Sequence, residues 1–220
     1  MTRIYLIRHA EAEGNFHRRA HGHHEGRITE RGYQQMELLK KRFENEQIDI
    51  VYSSDLVRAR TTSAALCEPR GLEPQLTERL REVSIGAWED TAWDELAQLD
   101  QEQLQYFSND PARWSVPGSE DYMQVRQRIT DCVKEIGERH DGQTVAVFSH
   151  GFAIRAFTCE VLGIPSHETD KIPYCDNTAV ALLIYEDGEL RFEYRSDNSH
   201  LDDESSTFAH QSWWRENAEE

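Results

Sequence analysis

Three short polar segments carry the side chains best suited to chemistry, and each directly follows a run of apolar residues. The segments are Arg8-His9, Ser53–Arg58 and Ser149–Gly151. Arginine binds an anion through a fork of N–H donors, and histidine donates a hydrogen bond or acts as a nucleophile near neutral pH. Two arginines and two histidines brought together are therefore expected to hold one anion, such as a phosphate group.

The apolar runs before these segments predict buried strands. They cover residues 4–7, 48–52 and 144–148, and amphipathic stretches predict helices from near 29 and over about 56–66, 120–139 and 153–162. Strands that alternate with helices indicate a three-layer α/β/α fold with a mostly parallel central sheet. Because parallel strands end at one edge of a sheet, the polar segments are expected to meet there. Two further strands, 178–185 and 189–194, flank Asp187-Gly188, which is a strong hairpin signal.

Each polar segment taken alone also has an ordinary structural explanation. An Arg-His pair after a strand is usually a surface pair, and a single arginine such as Arg58 is more often a solvated helix residue than an anion ligand. Their joint occurrence at one sheet edge favours a site, because clustered positive charges cost stability unless an anion neutralises them.

The overall charge argues against strongly anionic macromolecules as partners. With a formal net charge of −17 over 220 residues, the chain is expected to repel nucleic acid and anionic membranes. The stretch 17–31 is an exception, because its four arginines and four histidines face only two glutamates. We therefore expect this stretch to form a basic mouth, meaning a positively charged entrance to the site, through which a phosphorylated small molecule can bind although the protein as a whole is acidic.

Composition and apolar patterning favour an ordinary cytoplasmic protein. No apolar run approaches the roughly 18 residues that a membrane span needs, and the N-terminus lacks a signal-peptide pattern. The four cysteines have no metal-type spacing and are expected to be reduced core thiols. The histidines of the stretch 17–31 have little carboxylate or thiolate support, so neither a metal nor another cofactor is expected.

Four motifs resemble those of one enzyme family. LIRHAEAEGN is similar to the R-H-G-x-T-x-x-N signature of the histidine phosphatase, or phosphoglycerate mutase-like, superfamily, and SSDLVRARTTSAA is similar to its block S-x-L-x-R-A-x-x-T-A. RLREVSIGAWED resembles the block L-x-E-x-x-x-G-x-W-E-G, and FSHG resembles the second-histidine block. The motifs occur in family order and span about three quarters of the chain. The resemblance is closest to the cofactor-independent, broad-specificity bacterial phosphatases related to α-ribazole phosphatase.

The resemblance implies a role for each of five catalytic residues. His9 is the nucleophile that becomes phosphorylated, and Arg8, Arg58 and His150 bind the phosphoryl oxygens. Glu82 corresponds to the acid that protonates the leaving group and later activates water. Without the motif, a salt bridge between Glu82 and a neighbouring arginine explains this glutamate equally well.

Four further residues are expected to bind the substrate. Asn15 adds a neutral donor, His21 occupies the position of a polar phosphate contact in related phosphatases, and Gly151 opens a helix whose N-terminus suits an anion. Trp88 is expected to serve both the core and the pocket, where it would meet an apolar leaving group.

The motifs also depart from the family pattern. Ala10 stands where glycine is usual, Ala12 where threonine or serine is usual and Asp90 where glycine is usual. None of these departures removes a charged or nucleophilic group, so we interpret them as small adjustments of the site that leave its chemistry unchanged.

The chain 1–220 is expected to form a single domain with two elaborations. Residues from about 85 to 118 predict a small helical insertion whose aromatic side chains form mainly a satellite core. Residues from about 196 to 220 predict an acidic tail, in which Trp213 and Trp214 dock on the body or on a second subunit. A homodimer therefore remains an open expectation.

Together these features predict a metal-independent phosphomonoesterase that works on small phosphorylated metabolites through a phosphohistidine. A cofactor-dependent phosphoglycerate mutase, primed by 2,3-bisphosphoglycerate, is one alternative, and an inactive phospho-ligand binding or scaffold protein is another. The short, weakly basic insertion favours hydrolysis, because no lid retains the departing alcohol. The presence of all five catalytic residues argues against an inactive protein.

Overall fold

In the computed structural model, which describes residues 1–211, six strands form a central sheet and two short strands form a second one. In chain order the strands are β1 (Thr2–Arg8), β2 (Arg19–Ala20), β3 (Ile50–Ser53), β4 (Gln75–Leu76), β5 (Thr91–Ala92), β6 (Thr144–Ser149), β7 (Val180–Glu186) and β8 (Glu189–Asp197). The central sheet has the order β4-β3-β6-β1-β7-β8, and β2 pairs with β5. The mostly parallel sheet predicted from the sequence is confirmed, since β4, β3, β6 and β1 run parallel and only β7, among the strands of this sheet in the described residues, runs antiparallel to its neighbours β1 and β8.

The register of the sheet brings the ends of three strands level. Ile7 of β1 and Ser53 of β3 both pair with Phe148 of β6. The chain therefore leaves all three strands at one edge, and the polar segments that follow them begin side by side.

Seven α-helices occur in the described part of the chain. They are α1 (Glu13–Phe16), α2 (Glu30–Arg42), α3 (Val57–Cys67), α4 (Trp93–Leu99), α5 (Gln101–Asn109), α6 (Tyr122–Arg139) and α7 (Gly151–Val161). Short 3-10 turns lie at Glu68–Arg70, Glu78–Leu80, Gly86–Trp88, Pro111–Arg113, Ser166–Lys171 and Phe208–His210.

The alternating side chains of β1 divide the core into two layers. Tyr5 and Ile7 belong to one buried cluster with side chains of α2 and α3. Ile4 and Leu6 belong to the other, with side chains of α6 and α7. Because successive residues of a strand point to opposite faces, one fully apolar strand supports helices on both sides. The three-layer α/β/α fold with a helical insertion is confirmed.

Local signals place several element boundaries where the sequence predicts them. The Thr29 hydroxyl accepts a hydrogen bond from the Gly32 N–H at 3.1 Å and caps α2. The hairpin between β7 and β8 turns at Asp187 and Gly188, whose φ angles of 51° and 86° are those of a type I′ turn.

The packing of α2 and the segment after β4 show two features that apolar spacing alone does not indicate. Tyr33 has the spacing of the apolar stripe of α2, yet it is 54% exposed. Gly32 takes that place instead, because α2 lies so close to the loop after β1 that a Cβ at Gly32 would stand 2.2 Å from the Glu11 carbonyl oxygen. Residues 76–80 form the end of β4 and a 3-10 turn.

The insertion and the tail are both tied to the body. Residues 85–118 contain α4 and α5, and β5 pairs with β2, so the insertion is joined to the loop that follows β1. Beyond β8 the chain folds back, and Gln35 of α2 donates to the Ser205 carbonyl and the Thr207 hydroxyl at 2.8 and 2.9 Å. Trp213 and Trp214 lie outside the described residues.

All four cysteines are free and buried, as expected, and three of them have pKa values that burial raises to about 11, namely Cys67, Cys132 and Cys175. Within residues 1–211, no helix is both long enough and apolar enough to span a bilayer.

Candidate active site

A cavity of about 330 Å³ opens at the sheet edge where β1, β3 and β6 end. Four of the five predicted catalytic residues line it, namely Arg8, His9, Arg58 and Glu82, and three predicted substrate contacts line it as well, namely Asn15, His21 and Gly151. The fifth catalytic residue, His150, is fully buried beneath it, with its ring 5.1 Å from that of His9 between centroids. Residues separated by about 140 positions thus meet around one space, as the topology requires.

The ring of His9 is fixed by a hydrogen bond at Nδ1, and within residues 1–211 no hydrogen bond occupies Nε2. Its Nδ1 lies 2.7 Å from the Ala10 carbonyl oxygen, which accepts a hydrogen bond from the Nδ1–H tautomer. The backbone around it is fixed too, because the His9 carbonyl accepts from the Asn177 side-chain amide at 2.9 Å. In that tautomer Nε2 carries the lone pair and is the nucleophilic atom.

Arg8 and Arg58 are each anchored by backbone carbonyl groups. Arg8 donates from Nη1 to the Cys175 carbonyl at 2.6 Å, while its buried Nε–H has no partner among residues 1–211. Arg58, 2% exposed, donates to the carbonyls of Gly22 at 2.7 Å and His24 at 3.1 Å. A guanidinium has five N–H donors, so both side chains keep donors for an anion after they are anchored.

His150 is oriented by Ser54, a residue of the second polar segment. The Nε2 atom of His150 lies 2.8 Å from the Ser54 hydroxyl, which also accepts a hydrogen bond from the Leu56 N–H. The other ring nitrogen, Nδ1, is buried and lacks a hydrogen-bond partner in the described part of the chain. When the Ser54 hydroxyl donates to Nε2, Nδ1 carries the proton and serves as a donor to a bound anion.

Glu82 lies at the N-terminus of α7. Its carboxylate accepts N–H bonds from Phe152 at 3.1 Å, Ala153 at 2.9 Å and its own neighbour Val83 at 3.0 Å. The salt bridges with adjacent arginines that the sequence left open are not formed, since Arg79 pairs with Glu135 and Arg81 with Asp55. Glu82 therefore faces the cavity and caps a helix.

The three predicted substrate contacts lie around the same space in different ways. Asn15 accepts the Ala12 N–H at 3.1 Å through its Oδ1, so the amide nitrogen is its donor toward a ligand. The His21 ring lies against Gly14 and Gly26, where a Cβ would come within 2.4 and 2.3 Å of it. A Cβ at Gly151 would lie 3.3 Å from the buried Arg8 Nε, so the glycine leaves space beside that atom.

Burial and the two arginines keep the histidines of the site neutral. Burial, followed by the charges of Arg58 and Arg8, lowers the pKa of His9 well below its usual value. Burial and then Arg58 act in the same direction on His150, whose pKa is also well below the usual value, and on His21, whose pKa falls to about 4. A neutral imidazole is the form that can attack phosphorus.

Trp88 does not line the cavity, and its predicted place at the pocket is corrected. It is only 3% exposed, and its ring packs 5.8 Å from Phe107 and 5.7 Å from Trp114 between centroids. Its Nε1–H points away to the Asp100 carboxylate at 3.3 Å. Phe107 and Trp93, on the outer side of this aromatic cluster, line the cavity instead.

The basic mouth predicted from residues 17–31 is largely neutralised. Arg18 pairs with Asp94 at 2.9 Å and Arg19 with Asp90 at 2.6 Å, both acids coming from the insertion. Arg31 pairs with the buried carboxylate of Glu11, which anchors the loop and does not line the cavity.

The described residues contain no group of three or more His, Cys, Asp or Glu side chains that could hold a metal ion.

Sequence reasoning missed several residues of the site. Asn177 is fully buried and supports the His9 backbone, and the folded-back segment after β8 adds Thr207, Phe208 and Gln211 to the cavity wall. No motif pointed to them, because their contribution depends on where the chain returns. Ser54 was visible in the sequence, but its role follows only from its distance to His150.

Comparison with known proteins agrees with the geometry. Residues 4–198 match the histidine phosphatase superfamily (branch 1). A relative named phosphoserine phosphatase 1, from Hydrogenobacter thermophilus, is 30% identical over 187 residues, which cover 85% of this chain and 88% of the relative. A relative from Serratia proteamaculans named "Probable phosphoglycerate mutase GpmB" is 29% identical over 167 residues, which cover 76% of this chain and 78% of the relative. The solved structure of YhfR from Bacillus stearothermophilus superimposes with a TM-score of 0.88 at 30% identity, over 92% of this chain and 100% of that one. The chain therefore belongs to the histidine phosphatase superfamily, and it is a phosphatase of branch 1 of that family.

Proposed function

We propose that the protein is a metal-independent phosphomonoesterase that hydrolyses small phosphorylated metabolites through a phosphohistidine at His9. The observation that carries this proposal is the pairing of a free nucleophilic nitrogen with buried, unpartnered donors. The Ala10 carbonyl holds the Nδ1 atom of His9, which leaves Nε2 without a hydrogen bond in the described part of the chain. Among residues 1–211, the Arg8 Nε and the His150 Nδ1 are buried without partners beside it. A phosphoryl group would satisfy both atoms at once.

In the first step, the His9 Nε2 lone pair attacks phosphorus and the bond between phosphorus and the ester oxygen breaks. Arg8, Arg58 and His150 donate to the phosphoryl oxygens and replace the water that the dianion loses on entering the site. The departing oxygen takes a proton from Glu82 and leaves as a neutral alcohol.

In the second step, water attacks the phosphorus of the phosphohistidine. The Glu82 carboxylate accepts a proton from that water, the bond between phosphorus and Nε2 breaks, and inorganic phosphate leaves. The N–H bonds from α7 and Val83 hold the Glu82 carboxylate in one orientation for both transfers.

The part of the cavity that would hold the leaving group, here called the leaving-group half, supports hydrolysis over mutase chemistry. A mutase must hold a second phosphate and a carboxylate while the phosphoryl group returns, which requires unpaired cations. Within the described residues, Arg18 and Arg19 are the arginines of this half, and both already pair with acids of the insertion.

The same half also supports an uncharged, largely apolar leaving group. It is walled mainly by apolar and aromatic side chains, namely Val83, Ile85, Trp93, Leu104, Phe107, Phe152, Tyr174 and Phe208. Burial of apolar leaving-group surface contributes about 25 cal/mol per Å² to binding. Aryl and alkyl phosphates should therefore show a higher kcat/KM than phosphoserine, whose amino and carboxylate groups would lose hydration against this wall.

The decisive experiment traps the covalent intermediate. Purified protein is mixed with p-nitrophenyl phosphate, quenched in base and digested, and the site of phosphorylation is located by mass spectrometry. We expect phosphate on His9, none in His9→Ala, and unchanged labelling in a control that lacks an exposed histidine, His167→Ala.

The alternatives give different results in the same set of assays. Isomerisation of 3-phosphoglycerate in the presence of 2,3-bisphosphoglycerate, without release of inorganic phosphate, would establish the mutase. Binding of phosphate with neither turnover nor a labelled His9 would establish an inactive phospho-ligand binding protein. Hydrolysis that leaves His9 unlabelled in the wild type would refute the proposed mechanism.

A further inference from the structure

The loop Gly22–His24 supplies the anchor of Arg58. The Gly22 and His24 carbonyls each accept a hydrogen bond from the Arg58 guanidinium, at 2.7 and 3.1 Å. When a planar guanidinium is held at both terminal nitrogens, the directions of its remaining N–H groups are fixed. The position of these two carbonyls therefore decides where Arg58 points.

The Glu89 carboxylate in turn holds this loop. Its Oε1 accepts the His23 N–H at 3.0 Å and the Ile85 N–H at 3.1 Å, and its Oε2 accepts the His24 N–H at 2.7 Å. Hydrogen bonds to an ionised acceptor are about twice as strong as neutral ones. The backbone of His24 thus donates a hydrogen bond to Glu89 and accepts one from Arg58. This single residue therefore links the two side chains directly.

Gly22 provides an independent sign that the loop is built around this carboxylate. Its φ is +47°, and a Cβ there would lie 2.3 Å from the Glu89 Oε1 and 2.6 Å from the Ile85 side chain. Any larger residue would displace the carboxylate or the loop, and would be strained at this φ as well.

We propose that Glu89 is a positioning residue for phosphate binding, which acts by holding the Gly22–His24 loop so that Arg58 is aimed at the phosphoryl group. Glu89 stands at the start of the insertion, next to Asp90, which pairs with Arg19 of β2. The insertion therefore supports the phosphate end of the site as well as the leaving-group wall. This inference rests on the proposed function, because it assigns Glu89 to the same phosphate site.

The test measures phosphate affinity directly, so that it does not depend on turnover. The dissociation constant for inorganic phosphate is measured by calorimetry for wild type, Glu89→Ala, Glu89→Gln and a control, Glu102→Gln, which removes an exposed carboxylate of α5. We expect Glu89→Ala to weaken phosphate binding roughly tenfold or more, since displacement of a ligating group by about 1 Å has effects of this size. Glutamine keeps one acceptor oxygen, so Glu89→Gln should weaken binding only about threefold. The control should bind like wild type.

A double-mutant cycle separates positioning from general support of the fold. If Glu89 acts through Arg58, Glu89→Ala should change phosphate affinity little in an Arg58→Ala background, where no guanidinium remains to be aimed. A residue that only stabilises the fold would lower the melting temperature and leave the phosphate affinity of the folded protein unchanged in both backgrounds. Should Glu89→Ala fold poorly, Gly22→Ala disturbs the same loop from the other side and should show the same loss.

The outcomes distinguish this inference from the function on which it rests. Wild-type protein that binds phosphate, together with a Glu89→Ala variant that binds it within twofold, would overturn the role of Glu89 alone. Equal, additive losses with and without Arg58 would overturn it too. Wild-type protein that neither binds phosphate nor hydrolyses esters would overturn the proposed function, and this inference with it.

Discussion

Replacement of Glu82 by glutamine tests two roles that the structure gives to one carboxylate. As proton donor, Glu82 matters most when the departing oxygen is strongly basic. We therefore expect Glu82→Gln to lower kcat on an alkyl ester such as glycerol 2-phosphate by about 10² to 10³, the usual size of general acid catalysis, and to lower kcat on p-nitrophenyl phosphate by less than about tenfold.

The cap role predicts a separate and smaller effect on stability. Glutamine has one acceptor oxygen, so at least one of the hydrogen bonds at 2.9, 3.0 and 3.1 Å to backbone N–H groups is lost. Loss of a capping interaction costs about 1 kcal/mol, which in a chain of this length corresponds to a fall of about 2–4 °C in Tm. Differential scanning fluorimetry measures this shift on the same samples.

A matched control makes the result easy to interpret. Glu78→Gln is the same chemical change four residues earlier, at an exposed side chain that pairs with Arg81, and it should leave both activities intact. Equal losses of Glu82→Gln on the two substrates would refute the role as acid, and a large loss on both with a strongly lowered Tm would reduce Glu82 to a helix cap.

Three further predictions follow from the site and its supports. Because burial and then Arg58 lower the pKa of His9, its ring should stay neutral as the pH falls through the usual imidazole midpoint in an NMR titration, and a midpoint near that usual value would contradict the electrostatics. Burial and then Arg42 lower the pKa of His200 to about 4. Between about pH 6.5 and this value the unfolded chain binds a proton at His200 that the folded chain does not, so the free energy of unfolding falls as the pH drops. His200→Gln should therefore make the free energy of unfolding, measured by urea titration, less dependent on pH, by at most about 1.4 kcal/mol per pH unit. Thr62→Ala leaves the buried Ala10 N–H without the acceptor that now lies at 2.9 Å, and it should cost about 1–3 kcal/mol in urea unfolding, whereas Thr62→Ser should cost far less.

Much of the fold and the centre of the site could be predicted because the deciding information is local. A buried strand is recognisable from a few consecutive apolar residues, and the residue that ends it is known from the same stretch. Once the sheet is parallel, His9, Arg58 and His150 must come together whatever the details of the helices. The register through Phe148 confirms this, since it aligns the ends of β1, β3 and β6.

The remaining features depend on contacts between distant segments. The charges of Arg18 and Arg19 could be counted, but the acids that neutralise them are more than 70 positions away in the insertion. Trp88 is of a residue type that often lines pockets. Whether Trp88 or Phe107 faces the cavity depends on how the two rings pack, which the sequence does not show. Asp90 shows the opposite case, since its φ of +55° explains in retrospect why glycine is usual at that position.

The buried thiols of the core have a practical consequence for measurements of folding. With their pKa values raised to about 11, Cys67, Cys132 and Cys175 carry almost no thiolate at neutral pH, and the native packing excludes alkylating reagents from all four cysteines. Reaction with iodoacetamide must then wait for the native structure to open. Intact-mass measurements give the rate at which four alkyl groups are added. This rate reports on global opening of the native structure, and it needs neither an engineered label nor a substrate.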